Sequence, residues 1–148
     1  MAHGSDRIEK QILLKAPRSR VWRALTDARQ FGEWFKVKLD QDFAAGQRVT
    51  GKMTYPGYEG FPFEATVDRV EPEVVFSFRW EPGAEPGTTG GVATLVEFRL
   101  EDAPGGTLLT LVESGFDRLP AHLRDKAFRG NDEGWSLQTQ NIKAYVEA

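Results

Sequence analysis

Glu113 is the carboxylate of this 148-residue chain that is best placed for acid–base or ligand-anchoring chemistry. It ends an alternating stretch, 107–113, of the kind that forms a strand with one buried face. If that face lines a hollow, Glu113 would look into it near Asn131 or Gln138, as a polar anchor or general base for a bound ligand. The alternative is a strand-end carboxylate that reaches solvent or a cation such as Arg79. Both interpretations stay open on the sequence alone.

Other catalytic groups are scarce. The chain has no cysteine, which excludes disulfides, thiolate metal sites and a cysteine nucleophile. Its two histidines, His3 and His122, lack the clustered partners that a zinc site needs. Ser114 lies in Glu-Ser-Gly-Phe and not in the Gly-x-Ser-x-Gly elbow of hydrolases. The sequence therefore predicts no catalytic residue, no metal and no cofactor, and it leaves enzymatic activity undecided.

Large aromatic residues are the second feature that could serve a binding site. Rings on a concave sheet face give broad apolar contact, as small-molecule sites do, although the same rings also fill ordinary cores. Two Gly- and Pro-rich loops, 55–61 and 81–91, could gate the entrance or be plain connections. The aromatic candidates to line a cavity are Trp34, Phe63, Phe76, Phe78, Trp80 and Trp135.

The last long stretch, 119–148, is the element expected to cover these groups. Its helical periodicity places Trp135, Ile142 and other apolar residues on one face, and Asn131 and Gln138 share that face. Buried amides need partners, so we expect this helix to cover a sheet while leaving a semi-polar hollow. Gly130 and Gly134 predict a kink or break, with the firm helix beginning only near Asn131.

The remaining elements are a strand, two short helices and a run of strands. The first strand spans 7–15; Pro17 opens the first helix, and Asp27 is expected to cap the second. Short links favour antiparallel pairing, which predicts an α+β domain with its helices on one face of the sheet. The later strands are expected at 34–39, 48–55, 61–70, 74–80, 92–100 and 107–113.

Composition narrows the class of protein. A net charge of −3 without a basic stripe argues against a nucleic-acid surface. No run approaches the roughly 18 apolar residues of a membrane span, and residues 1–6 are expected to be a flexible tail rather than a secretion signal. We therefore expect one cytoplasmic domain over residues 7–148, a monomer or weak dimer.

Two end motifs resemble a known family. Pro17 to Asp27 with Trp34 is similar to its "P…VW.ALTD…..W" opening, and Glu113-Ser-Gly-Phe116 with Gly134-Trp135 is similar to its close. The family is the START-like helix-grip (SRPBCC) superfamily, in the branch related to activator of heat-shock-protein-90 ATPase. The resemblance implies a curved antiparallel sheet of about six to seven strands wrapped around a long C-terminal helix, with a cavity between them. Thr139 departs from it, since similar sequences carry leucine there.

Three functions follow from the residues and the resemblance together. The first is an intracellular module that binds a hydrophobic or amphiphilic small molecule in the cavity. The alternatives are a co-chaperone-like module that binds a chaperone, and a polyketide cyclase-like enzyme. The predicted cavity residues are Trp34, Phe63, Phe76, Phe78, Trp80, Glu113, Asn131, Trp135, Gln138 and Ile142.

Overall fold

A computed structural model describes residues 7–82 and 91–148. The predicted flexible tail at 1–6 and most of the predicted loop at 81–91 lie outside those residues. In chain order the elements are β1 (Arg7–Leu14), α1 (Arg18–Thr26), α2 (Ala28–Phe35), β2 (Val37–Leu39), β3 (Arg48–Met53), β4 (Pro62–Glu71), β5 (Val75–Trp80), β6 (Thr94–Ala103), β7 (Gly106–Ser114), a 3-10 turn (Phe116–Arg118) and α3 (Ala121–Glu147).

The seven strands form one curved antiparallel sheet in the order β1-β7-β6-β5-β4-β3-β2. Consecutive strands from β2 to β7 are neighbours, as their short connections predict. β1 pairs with β7 and forms one edge of the sheet, and β2 forms the other edge. The α+β helix-grip arrangement is confirmed, with α3 lying along the sheet.

Local sequence signals set the ends of several elements. The Asp27 side chain accepts a hydrogen bond of 3.0 Å from the backbone N–H of Gln30, so it caps α2 as predicted. β6 and β7 are joined by a tight hairpin in which Ala103 pairs with Gly106 and Gly105 has a φ of 85°. That left-handed backbone favours glycine at the turn.

Several predicted boundaries differ from those of the structure. The strand expected at 34–39 covers only Val37–Leu39, because Phe35 still belongs to α2, whose apolar face packs into the core. β5 begins at Val75 rather than at Val74, which lies in the preceding turn and is half exposed. β6 starts at Thr94 rather than at residue 92 and runs on to Ala103.

α3 is one continuous helix of 27 residues, so the expected break at Gly130 and Gly134 is also wrong. Of the described glycines, six have a positive φ, and Gly130 and Gly134 are not among them. Both keep an ordinary helical backbone.

The core lies between the sheet and the three helices. The indole N–H of Trp34 donates to the Ala24 carbonyl at 2.7 Å and fixes α2 against α1. The Gln138 amide donates to the Phe35 carbonyl at 2.7 Å and fixes α3 against α2. Within residues 7–82 and 91–148, no helix combines the length and apolarity that crossing a lipid bilayer requires.

Candidate functional site

A cleft of about 760 Å³ opens between the first half of α3 and the sheet. Its sheet side comes from the β3–β4 connection and from the ends of β4 and β5, and the loop at 55–61 borders it as expected. A smaller pocket of about 120 Å³, the inner pocket, adjoins the cleft and is lined in addition by the buried Trp135. The sheet side is lined by Met53, Tyr55, Tyr58, Phe61, Phe63 and Trp80, and the helix side by Leu123, Lys126, Ala127, Gly130, Asn131, Glu133, Gly134, Leu137 and Gln138.

The opening follows from how α3 packs. No residue from 121 to 134 is buried, whereas Trp135, Gln138, Thr139, Ile142 and Val146 all are. The second half of the helix therefore anchors it, and the first half packs only partly against the core.

Gly130 and Gly134 line both the cleft and the inner pocket. A Cβ atom added at either position would meet nothing within 4 Å. Packing therefore does not require these glycines, although each costs up to about 1 kcal/mol in a helix interior relative to alanine. What their missing side chains do provide is bare helix backbone in the wall of the cleft.

Glu113 lies directly behind the inner pocket, at 0% exposure. The strand register brings its partners together: Trp80 on β5 pairs with Thr94 on β6, and Glu113 on β7 pairs with Val96, two residues further along β6. α3 adds Asn131 and Trp135 from above.

Four side chains donate hydrogen bonds to the Glu113 carboxylate. The indole N–H of Trp135 reaches Oε1 at 2.8 Å, and that of Trp80 reaches Oε2 at 2.9 Å. The Thr94 hydroxyl donates to Oε2 at 2.5 Å, and the Asn131 amide lies 3.0 Å from both oxygens.

This donor set matches an ionised carboxylate. Indole and amide N–H groups donate only, so they need lone pairs rather than a carboxylic O–H. No lysine, arginine or histidine of the described residues forms an ion pair with Glu113. The charge is thus held by neutral dipoles alone, and the cluster orients both indole rings.

Half of the predicted cavity residues line the cleft or its inner pocket. These are Phe63, Trp80, Asn131, Trp135 and Gln138. Whether they contact a ligand stays a prediction.

The other five predicted cavity residues line neither space in the described part of the chain. Phe76 and Phe78 are fully buried and pack against Phe98, so they belong to the core. Trp34 and Ile142 are also in the core cluster. Glu113 is separated from the cleft by its own donors, and it reaches neither solvent nor Arg79.

Gln138 and Thr139 use their polar atoms inside the protein. The Gln138 carbonyl oxygen accepts from Asn141 at 3.0 Å, while its amide holds Phe35. The Thr139 hydroxyl donates to the Trp135 carbonyl at 2.9 Å. The polar atoms of both residues therefore serve the packing of the helix. Asn131 differs, because its amide N–H group is used by Glu113 and its carbonyl oxygen accepts no hydrogen bond from any described residue.

Several lining residues were not predicted from the sequence. Phe35 was assigned to a strand, and Leu123, Lys126 and Glu133 gave no signal beyond lying on a helix. Leu137 lies off the buried stripe of α3 and is 52% exposed, which only the structure reveals. The sequence predicts a kink from the two glycines, whereas the structure places them in the wall of the cleft.

Metal binding is not indicated. No three His, Asp or Glu side chains within the described ranges are grouped so that they could hold an ion.

Comparison with known proteins gives a family and a fold. The family model described as Activator of Hsp90 ATPase homolog 1-like protein matches residues 15–147. No curated protein sequence matches the chain. Protein MLL2253 from Mesorhizobium loti is 24% identical, with a TM-score of 0.78 over 95% of this chain and 96% of that one.

Two further structures are similar. The Aha1 dimer from Colwellia psychrerythraea is 18% identical, with a TM-score of 0.72 over 95% of this chain and 96% of that one. DynU16, from the dynemicin biosynthetic locus, is 24% identical, with a TM-score of 0.73. That match covers 97% of this chain and 48% of DynU16, so this chain spans about half of that protein. At these identities the similarity shows the fold.

Proposed function

This chain belongs to the Activator of Hsp90 ATPase homolog 1-like family, and on that premise we propose that it binds a hydrophobic or amphiphilic small molecule in the cleft under α3. The observation that carries the proposal is the cleft itself, about 760 Å³ in volume and walled by aromatic rings. Ligand sites are typically concave, of this size, and apolar with a few polar groups.

The glycine pair supports the same proposal. Helix interiors disfavour glycine unless close approach or packing requires it. No packing requirement exists at Gly130 or Gly134, yet both line the cleft. A ligand lying against the helix backbone gives these residues a reason.

The four tryptophans allow a direct test. Trp80 and Trp135 line the inner pocket, whereas Trp22 and Trp34 line neither space. In ¹H–¹⁵N spectra, titration with a panel of aromatic amphiphiles should shift the indole N–H signals of Trp80 and Trp135 and leave the other two in place. Equal shifts at all four, or none with any compound, would remove the proposal.

A matched pair of variants adds a second check. Leu137 lines the cleft and Val74 does not, although the two are about equally exposed, at 52% and 50%. We expect Leu137→Ser to weaken binding severalfold, because it removes apolar contact area. Val74→Ser should leave binding unchanged.

The family description supports a second proposal, a co-chaperone role. It predicts that the chain binds a heat-shock-protein-90-type chaperone and stimulates its ATPase. Failure of both with the purified chaperone would remove this proposal and leave the first one intact.

A cyclase-like activity has less support. It needs Glu113 or another carboxylate in contact with the substrate. Glu113 is enclosed by its four donors, and the carboxylates that line the cleft, Glu64, Glu81 and Glu133, are exposed to solvent.

A further inference from the structure

Resting on the proposed function, we propose that the ligand of the cleft is an organic cation. Its positively charged head, an alkylated ammonium or a similar group, occupies the inner pocket, and its apolar or aromatic body lies in the outer cleft. Two features of the site carry this inference: the buried carboxylate, and the groups that the inner pocket offers to a ligand.

The first feature is the buried charge of Glu113. Its donors are neutral, and no cationic side chain in residues 7–82 and 91–148 pairs with it. The charge therefore acts on the adjacent inner pocket, which shares Trp80, Asn131 and Trp135 with the carboxylate cluster. For a cation about 8 Å from the carboxylate, at an effective dielectric constant near 20, the attraction corresponds to roughly a thirtyfold gain in binding constant.

The second feature is what the inner pocket offers to a ligand. Both indole N–H groups are used by Glu113, so neither is available to a ligand in the pocket. Trp80 and Trp135 stack on each other with ring centroids 5.7 Å apart, and the pair offers aromatic carbon rather than N–H groups to the pocket that both residues line. Phe35 adds a third ring, with centroid distances of 6.2 Å to Trp80 and 6.0 Å to Trp135. Aromatic rings attract cations through their electron-rich faces, and tryptophan does so most strongly.

The free polar atom of Asn131 has the same preference. Its amide N–H group is used by Glu113, which fixes the orientation of the side chain. The carbonyl oxygen that remains is an acceptor, and no described residue donates to it. An acceptor at this place favours a ligand that carries N–H groups or a positive charge.

The rim of the cleft carries charges of both signs. Glu133 and Lys126 line it from α3 and are both exposed, and Glu64 is paired with Arg48. The rim therefore does not favour a cation by itself, but Glu133 and Lys126 each act on a charged ligand at close range.

The test uses three probes. Benzyltrimethylammonium and its carbon isostere neopentylbenzene have the same shape and differ in charge, and phenylacetate is an anion that also carries a phenyl ring. We expect the cation to bind at least tenfold more tightly than its isostere, followed by the indole N–H signals of Trp80 and Trp135. Phenylacetate should bind weakest of the three.

Two surface variants on the cleft face of α3 should change this preference in opposite directions. Glu133→Gln should lower the affinity for the cation about two- to fivefold at low salt, and Lys126→Gln should raise it by a similar factor. Both should change the binding of neopentylbenzene much less than that of the cation, because glutamine removes the charge and keeps a polar side chain at a solvent-exposed position.

The buried contribution is tested with Glu113→Gln under conditions where the variant is folded, as shown by its near-UV circular dichroism. The preference for the cation over the isostere should fall on the order of tenfold. The fall should persist at high salt, since buried charges are screened little.

The outcomes separate the two proposals. Equal binding of cation and isostere, or tighter binding of phenylacetate, overturns the cation inference and leaves the proposed function standing. Binding of none of the probes at millimolar concentration counts against both. A preference for the cation that is the same in all three variants would also overturn the inference, because the charges named here would not cause it.

Discussion

Replacing Gly130 and Gly134 of α3 by alanine should stabilise the fold and weaken ligand binding at the same time. Both glycines lie inside the 27-residue helix, and a Cβ atom at either position meets nothing within 4 Å. Each substitution thus gains helix propensity without a steric penalty. The expected gain is about 1 kcal/mol per site, or about 2 kcal/mol for the double variant.

This gain can be measured as a shift in the unfolding midpoint. For a chain of this size, about 1 kcal/mol corresponds to about 2–4 °C, so the double variant should melt about 4–8 °C higher. Circular dichroism at 222 nm gives the midpoint, and urea titration gives the free energy of unfolding.

The loss of binding has a separate physical cause. Both added methyl groups would enter the wall of an inner pocket of only about 120 Å³. Overpacking of a filled site costs about 1–3 kcal/mol. The affinity for benzyltrimethylammonium, or for whichever aromatic amphiphile binds most tightly, should therefore fall about fivefold or more.

Two control variants isolate these effects. Gly32→Ala is the same substitution in α2, but there the Cβ would lie 2.3 Å from the Val37 carbonyl oxygen, so this variant should lose stability. Ser136→Ala raises helix propensity on an exposed face of α3 that does not line the cleft, so binding should not change. Wild-type affinity in the stabilised double variant would refute the role of the glycines, and lower stability would refute the geometry.

Three further predictions concern the fold. Glu113→Gln should lower the free energy of unfolding by about 1–3 kcal/mol in urea, because an amide N–H would face the N–H groups that now donate to the carboxylate. Asp27→Ala should cost about 1 kcal/mol in the same assay through loss of the α2 cap. The hydrogen bond from Arg79, with a further one from Ser77, holds the pKa of Asp68 below its ordinary value of 3.8. The carboxylate therefore stabilises the fold above that value and ceases to do so as the pH falls through the lowered pKa, so Asp68→Asn should be less stable at pH 7 and should approach wild type below pH about 4.

Much of the fold could be predicted because its signals are local. Strand alternation located the seven strands, Pro17 marked the start of α1, and Asp27 marked the start of α2. The boundaries that failed, such as the end of α2 at Phe35, depend on tertiary packing that overrides a short alternating pattern.

The site could be predicted only in part, because periodicity gives the face of a residue and not its depth. Phe76, Phe78 and Trp80 share one face of β5, and all three were expected in the cavity. Only Trp80, at the strand end nearest the opening, lines it. Which end of a strand lies under the first half of α3, residues 121–134, depends on the register of the whole sheet and on where the helix is anchored.

The division of α3 into two halves explains how one helix can serve both stability and binding. Trp135, Ile142 and Val146 bury its second half, whereas nothing from 121 to 134 is buried. Contacts nevertheless hold this first half in place: the Phe128 ring lies 5.2 Å from the Phe116 ring, and Lys10 forms an ion pair of 2.8 Å with Asp132. The first half of α3 is thus ordered as part of the fold. Because this ordering takes place during folding, ligand binding does not have to supply the free energy for it. At a site that becomes ordered only on binding, that cost would lower the affinity.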